Sequence, residues 1–323
     1  MKFSLVIPLA PYRDAEIVES IKKLNYPHSE FQIIIVKGTN ASANRNKGAL
    51  RAKGEIIGFL DDDAVIEPDF LKKVEYFFNK HPETDIVGGP QLTPKDEKGF
   101  ALISGYALSS KFGAAGSSSR YKEGKINLNA DEKSITSANL FVKKEVMEKV
   151  QFDTSLWPGE DPKFIADSKK EGLNIAYSPD FTLFHRRRPT LRGLIKQIFN
   201  YGRVRPLKEN FIETLKMPIF LVPVLFVIYL LALLWNILIN PQITGNLISN
   251  NPLNIKSNWL FIPLVAYLSL AILFSVYECE KNKHYFAVLL LPFIYPIIHL
   301  SYGCGMIYGY YQKSITVFKS TFF

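Results

Sequence analysis

The sequence predicts an α/β fold, a mostly parallel sheet domain followed by a C-terminal transmembrane helical region. Three observations carry that expectation. Up to about Leu207, short apolar runs alternate with segments of helical spacing, the pattern of strands and covering helices. One run, Ile56-Ile57-Gly58-Phe59-Leu60, is almost continuously apolar, which suits a strand buried on both faces of a parallel sheet. Beyond Lys216 the chain turns into long apolar stretches separated by short polar ones. The expected divisions are a soluble domain over residues 1–190, an amphipathic interfacial helix and linker over 191–216, and a membrane region over 217–323.

The central run ends directly in Asp61-Asp62-Asp63. Adjacent carboxylates repel unless a cation or bound donors neutralise them. The carboxyl end of a strand is also where open α/β sheets bind ligands. Hard divalent ions are commonly held by one or two carboxylates together with phosphate oxygens, so the stretch points to a metal-assisted diphosphate site. A solvated acidic turn is the plain alternative.

In order, Phe3 to Ile7 reads as the first strand, ended by Pro8 and Pro11. It imitates a signal peptide, but its apolar core is short and Arg13-Asp14 follow without a cleavage pattern. Ile17, Val18, Ile21 and Leu24 give Ala15 to Leu24 a helical spacing, and Phe31 to Val36 is a second buried strand. Ala43 to Ala52 and Asp69 to Asn79 read as helices on either side of the acidic strand. Ile86-Val87 and Ser137 to Val142 read as further strands, and Lys144 to Val150 as a short helix. The Gly-, Ala- and Ser-rich stretch Lys111 to Arg120 reads as a mobile loop, either a connection or a lid. A second acidic pair, in Trp157-Pro158-Gly159-Glu160-Asp161-Pro162, is expected on a loop before a helix from Lys163 to Gly172. Asn174 to Tyr177 is a strand, and Phe181 to Phe184 leads to His185.

Thr190 is a candidate N-cap. After it, Leu191, Leu194, Ile195, Ile198 and Phe199 line one helix face, with Arg192, Lys196 and Gln197 opposite. Such a basic amphipathic helix suits a bilayer surface, although a core-packing helix has the same pattern. Residues 218–239, 259–277 and 285–308 are each long enough to cross a bilayer as a helix. Pro292 and Pro296 leave open a re-entrant hairpin for the last one. The basic cluster before the first span, with Lys281 and Lys283 later, belongs on the cytoplasmic side, and the Asn240–Asn258 loop outside. The formal charge of +9 therefore reads as attraction to membrane lipids, with no nucleic-acid motif beside it. Two cysteines, both in the apolar half, make neither a disulfide framework nor a zinc cluster.

The order of these pieces resembles the family-two glycosyltransferases, inverting enzymes with the GT-A (Rossmann-like) fold. The resemblance rests on Ile7-Pro8, Ala43-Asn44-Arg45-Asn46-Lys47-Gly48, Gly54 through Asp63, Gly159-Glu160-Asp161, and Tyr177-Ser178-Pro179 ahead of His185. It covers about residues 3 to 205. The tail from Arg192 through Gln197 to Tyr201-Gly202-Arg203 is similar to membrane-attached members that build exopolysaccharides of the succinoglycan type. By that resemblance Asp61 lies near the ribose and base, and Asp63 binds Mg²⁺ or Mn²⁺ bridging the phosphates of a nucleotide-diphosphate sugar donor. Asp161 is the general base and Glu160 orients the acceptor, with the roles exchangeable. Asp61 and His185 are further metal ligands, while Pro8, Arg45, Lys47, Asp62 and Arg187 join the donor-binding set. Gln197 and Arg203 cap the acceptor site. One departure concerns Val36-Lys37-Gly38-Thr39-Asn40, where the family carries an aspartate-rich turn that reads the nucleobase; base recognition must therefore differ, with Thr39 and Asn40 as candidates and the nucleotide left open.

The acceptor is then expected to be a polyprenyl-linked glycan at the cytoplasmic leaflet, extended by one sugar. A processive polysaccharide synthase is the alternative within the class. Asp61-Asp62-Asp63-Ala64-Val65 also satisfies the nucleophile motif of haloacid-dehalogenase-type phosphatases, which place it on a first strand rather than a third. An inactive membrane scaffold on the same fold is the non-enzymatic alternative.

Overall fold

The computed structural model describes residues 1–156, 158–239 and 259–322. Trp157 and the Asn240–Asn258 loop, with its expected outer placement, lie outside the described residues. The chain divides into two compact units, Met1–Arg188 and Pro189–Phe323.

The first unit contains strands β1 (Phe3–Leu9), β2 (Phe31–Lys37), β3 (Ile56–Leu60), β4 (Ala64–Ile66), β5 (Ile86–Gly88), β6 (Gln91–Leu92), β7 (Asn139–Lys143), β8 (Ile175–Tyr177) and β9 (Leu183–His185). Its helices are α1 (Val18–Ile21), α2 (Ala41–Leu50), α3 (Phe70–Lys80), α4 (Gly99–Ser109), α5 (Lys111–Ala114), α6 (Val146–Lys149) and α7 (Glu160–Lys170). Six strands form one sheet in the order β2-β1-β3-β7-β5-β8, and β4-β9-β6 form a second, small sheet. Only β7 runs against its neighbours in the large sheet, pairing antiparallel with both β3 and β5. The sheet is thus mostly parallel.

Alternation along the strands divides the core in two. Leu5, Ile7 and Leu60 face a cluster with Phe70, Val74 and Phe77 of α3. Val6, Ile57 and Phe59 face another with Ala49 of α2 and Phe164 and Ile165 of α7. With both faces of β3 sealed, only its carboxyl end is left for chemistry.

Several elements differ from the expectations. β1 continues through Pro8 to Leu9, because its ladder with β3 stops at Val6 and only β2 pairs beyond it; a proline is tolerated where one side is unpaired. β2 is an edge strand rather than a buried one, with Ile33 and Ile35 exposed. The Ala15–Leu24 helix shrinks to the single turn of α1, although Ile17, Ile21 and Leu24 are buried as its spacing requires. The Lys111–Arg120 stretch is helical: α5 starts at Ser110, whose hydroxyl accepts from the Phe112 N–H at 3.3 Å, and a 3₁₀ segment follows to Tyr121. Arg120 fastens that segment to the carbonyls of Glu132 and Lys133.

The second unit contains α8 (Leu191–Lys208), α9 (Phe211–Leu215), α10 (Val222–Ile239), α11 (Ile262–Asn282) and α12 (Ala287–Phe322). Thr190 caps α8, accepting from the Gly193 N–H at 3.1 Å. α8 packs along α12, and glycines permit the contact: a Cβ at Gly202, Gly305 or Gly309 would strike the carbonyl of Tyr302, Phe199 or Arg203 on the facing helix. Small residues allow close helix approach where both neighbours are apolar. Leu194 and Ile198 are buried, while Leu191 and Ile195 stay exposed. Pro218–Ile239, Trp259–Asn282 and Ala287–Ile315 are long and apolar enough to cross a membrane. The re-entrant alternative does not hold for the third, since α12 runs through Pro292 and Pro296 as one helix.

Candidate active site

β3 delivers Asp61 at its carboxyl end, and the chain turns at once into β4. β4 pairs antiparallel with β9 in a register that sets Ala64 opposite His185. That ladder carries the imidazole to the acidic triplet. His185 Nε2 lies 3.1 Å from Asp63 Oδ1 and 3.7 Å from Asp61 Oδ2. On the other side of the ring, Nδ1 is 2.9 Å from the carbonyl oxygen of Arg186. A carbonyl only accepts, so Nδ1 carries a proton and Nε2 is the nitrogen facing the carboxylates.

Asp61, Asp63 and His185 can each offer one ligand atom within 4.8 Å of the others. These residues fit a divalent cation. Two carboxylate oxygens and an imidazole nitrogen suit Mg²⁺ or Mn²⁺, and 3.1 Å is close to the edge of an octahedral shell with bonds of about 2.1 Å. The Arg186 carbonyl is the outer partner that fixes a metal-binding histidine's tautomer. Without the ion, burial pulls the imidazolium down, but bonds to Asp61 and Asp63 prevail and push His185 up to about 9. Burial likewise pushes Asp61 and Asp63 up, and is outweighed; His185 with Arg45 holds Asp61 below its usual range, and His185 with Arg13 holds Asp63 well below.

Asp62 is different. It is buried, its Oδ2 is 3.0 Å from Arg13 Nε, and burial together with the neighbouring Asp63 charge pushes it up to about 6. Its backbone carbonyl accepts from the Ile17 N–H at 3.0 Å, which ties the loop after β1 to the triplet. From that loop Arg13 Nη2 donates to Asp63 Oδ2 at 2.7 Å. No local sequence pattern marks Arg13, whose partner Asp63 lies fifty positions away.

Arg45 sits on the inner face of α2 with its side chain 6% exposed. Its guanidinium donates to Asp61 Oδ1 at 3.2 Å and to Glu160 Oε1 at 2.9 Å, with Asp161 Oδ1 at 3.9 Å. One cation thus joins the triplet to the second acidic pair. That pair is not on a loop. Glu160 and Asp161 are the first two residues of α7, entered through Gly159 at φ +118°, a conformation few other residues adopt. Ser137 donates its hydroxyl to Asp161 Oδ1, another contact the sequence did not signal. Burial and the Asp161 charge push Glu160 up to about 7 against the pull of Arg45. Three carboxylates face one guanidinium, so the most enclosed of them holds a proton most readily.

The other expected residues are placed as follows. Pro8 is buried within β1. Asn40 caps α2 by accepting from the Ala43 N–H at 2.9 Å and donates to the Thr154 carbonyl at 2.8 Å; Thr39 beside it is exposed. Lys47 is exposed and, two residues from Arg45, points from a different side of α2. Arg187 is buried, its guanidinium bonded to the Gln91 carbonyl and the Thr93 hydroxyl and 4.7 Å from the Tyr121 ring centre, and its backbone N–H donates to Glu97 Oε2 at 3.3 Å. Gln197 and Arg203 belong to the second unit, where Gln197 donates to Tyr201 at 3.0 Å and Arg203 to Gln312 at 3.4 Å.

Residues 11–151 match the family described as Glycosyl transferase family 2. The match takes in Arg13, Arg45, the acidic triplet and Ser137, and stops before Glu160, Asp161 and His185. The chain is 29% identical over 168 residues to the minor teichoic acid biosynthesis protein GgaB of Bacillus subtilis (strain 168), covering 49% of this chain. It spans only 17% of that relative's length. Among solved structures, the mannosyltransferase PcManGT from Pyrobaculum calidifontis, in complex with GDP-Man and Mn²⁺, aligns with a TM-score of 0.53 and 14% identity, over 97% of this chain and 88% of that one. That likeness is one of fold: the α/β unit is GT-A-like. S. aureus TarS 1–349 in complex with UDP-GlcNAc aligns at a TM-score of 0.43 with 14% identity, over 97% and 92% of the two chains, too low to bear on the fold.

Proposed function

We propose that the chain transfers a sugar from a nucleotide-diphosphate donor to a hydroxyl of a membrane-associated, polyprenyl-linked glycan, with inversion at the anomeric carbon. The observation that carries this reading is the Arg45 bridge, which holds a metal-competent triplet and a second acidic pair around one guanidinium. A transferase that inverts in one step needs both: cation-binding groups at the departing diphosphate and a carboxylate at the attacking hydroxyl.

Asp61, Asp63 and His185 would hold Mg²⁺ or Mn²⁺, which neutralises charge on the leaving diphosphate. Asp161 takes the proton of the acceptor hydroxyl as its oxygen bonds to the anomeric carbon and the bond to the diphosphate breaks. Ser137 holds one Asp161 oxygen in place, leaving the other for that proton. Glu160, pushed up to about 7 and fixed by Arg45, orients the acceptor. The engagement of Asp61 by Arg45 and His185 speaks against a phosphatase in which Asp61 is the free nucleophile.

Three helices fit for a bilayer support a place at the membrane. Lys and Arg in α8 and at Lys281 and Lys283 support a cytoplasmic orientation of the α/β unit. The fusion of a donor-binding unit to apolar helices favours a lipid-linked acceptor. The test is a panel of sugar nucleotides with Mn²⁺ and polyprenyl-linked acceptors, reading product length and anomeric configuration. Single addition with inversion is expected; a ladder of long polymers would establish a processive synthase, and absence of any transfer would favour the scaffold.

A further inference from the structure

The triplet carries one cation for which neither the metal nor the base accounts. Arg13 places Nη2 at 2.7 Å from Asp63 Oδ2 and Nε at 3.0 Å from Asp62 Oδ2, a fork spread across two carboxylates. Asp63 is therefore occupied on both oxygens, by Arg13 on Oδ2 and by His185 on Oδ1. Asp63 is also one of the three residues able to hold a divalent ion. A guanidinium bonded to that carboxylate and a dication bound to it repel each other within a few ångströms, in a pocket that screens charge poorly. Arg13 is 39% exposed and rides on the turn after β1, where its own N–H bonds only to the Ala10 carbonyl. It has room to leave. A guanidinium fork matches phosphate oxygens as well as carboxylate oxygens.

We propose that Arg13 is a resident counter-cation that competes with the divalent ion for Asp63 and is released when a nucleoside diphosphate arrives. The inference rests on the reading of Asp61, Asp63 and His185 as the metal site. In the nucleotide-free chain Arg13 neutralises Asp62 and Asp63 and weakens metal binding. With a diphosphate present, the fork moves from carboxylate to phosphate, so metal and nucleotide strengthen each other's binding. By linkage, that strengthening must be reciprocal. Arg13 thereby disfavours a bare metal site and favours the metal–nucleotide pair.

The sign of the effect separates this from a structural role. Were Arg13 merely holding Asp63 in position, removing it would loosen the ligand and weaken the metal. Under competition, removing it strengthens the metal. The experiment titrates Mn²⁺ by electron paramagnetic resonance into the full-length purified protein, with and without UDP or GDP, for wild type, Arg13→Gln, Arg13→Lys and Asp63→Asn. Arg13→Gln is expected to bind Mn²⁺ alone about 5- to 100-fold more tightly than wild type, the usual range of coupling between sites. The gain from adding nucleotide should shrink in that variant. Arg13→Lys, which keeps the charge and loses the fork, should stay near wild type for Mn²⁺ alone. Unchanged or weaker Mn²⁺ binding in Arg13→Gln, with wild type binding normally, overturns the competition. Failure of wild type to bind Mn²⁺ more tightly than Asp63→Asn instead overturns the metal site itself, and with it the proposal. Circular dichroism and thermal melting of each variant exclude unfolding as the cause.

Discussion

The two acidic clusters of the α/β unit are built from the same chemistry and held in opposite ways. Asp61-Asp62-Asp63 meets three cationic groups, Arg13, Arg45 and His185, and two of its carboxyls are held below their usual range. Glu160-Asp161 has only a share of Arg45, and Glu160 is pushed up to about 7. Carboxylates kept ionised suit a metal and phosphate site. A carboxyl that keeps a proton near neutrality can donate it to a neutral oxygen, which suits Glu160 to orienting the acceptor hydroxyl. The difference lies in how many cations reach each cluster, and Arg45 is the one they share.

The comparison breaks first at Asp161. Asp161→Asn should slow transfer about 10²- to 10⁴-fold, the usual contribution of a positioned base. Sugar-nucleotide affinity measured by calorimetry should stay unchanged, because the triplet is intact. Turnover near wild type in this variant, with Glu160→Gln inactive, would exchange the two roles. The shared cation comes next. Arg45→Met leaves three carboxylates facing one another with no guanidinium between them, and removing one partner of a buried ion pair typically costs about 3–5 kcal/mol. Denaturant unfolding of the isolated variant against Arg45→Met/Glu160→Gln checks it: the second substitution should recover part of the loss, and no recovery would show that the pair does not depend on Arg45.

A smaller effect is expected within the triplet. Asp63→Asn should weaken Mn²⁺ at least about a hundredfold, beyond what loss of an outer partner of a ligand costs. Asp62→Asn should weaken it far less, since Asp62 lies outside the group able to hold the ion. Equal losses in both would mean that the triplet acts as an undivided negative patch.

The elements that were legible in the sequence are those whose physics is local. β3 is legible residue for residue because all five of its positions are buried and apolar, and Asp61 marks where that run ends. Asp61, Asp63 and His185 offer ligand atoms within 4.8 Å of one another, but no sequence pattern shows the β4–β9 ladder that joins them, as β4 is only three residues long. The stretch Trp157-Pro158-Gly159-Glu160-Asp161-Pro162 reads as a loop in the sequence. Glu160 and Asp161 start a helix instead: Gly159 supplies the positive φ, and Pro162 falls in the first turn, where its missing N–H costs nothing. Arg13, Ser137 and the packing of α8 on α12 depend on partners far along the chain. No window of sequence contains both sides of such a contact.

The finest test of the comparison is its sign with pH. Glu160 titrates near 4.5 when exposed and is pushed up to about 7 in the fold, chiefly by burial and then by the Asp161 charge. Between those values the folded chain binds the extra proton, so this group's contribution to stability is complete below about 4.5 and is lost as pH rises through about 7. A carboxyl held low, as in the triplet, contributes in the opposite sense, with stability present above its unfolded value and lost on acidification. Urea midpoints of wild type and Glu160→Gln across pH 4.5 to 7.5 should therefore converge or cross as pH rises, wild type losing its relative stability toward the alkaline end. If the wild type instead gained on the variant over that range, Glu160 would be ionised throughout by Arg45. The two acidic clusters would then be held in the same way, and the division of labour between them would have to come from the metal alone.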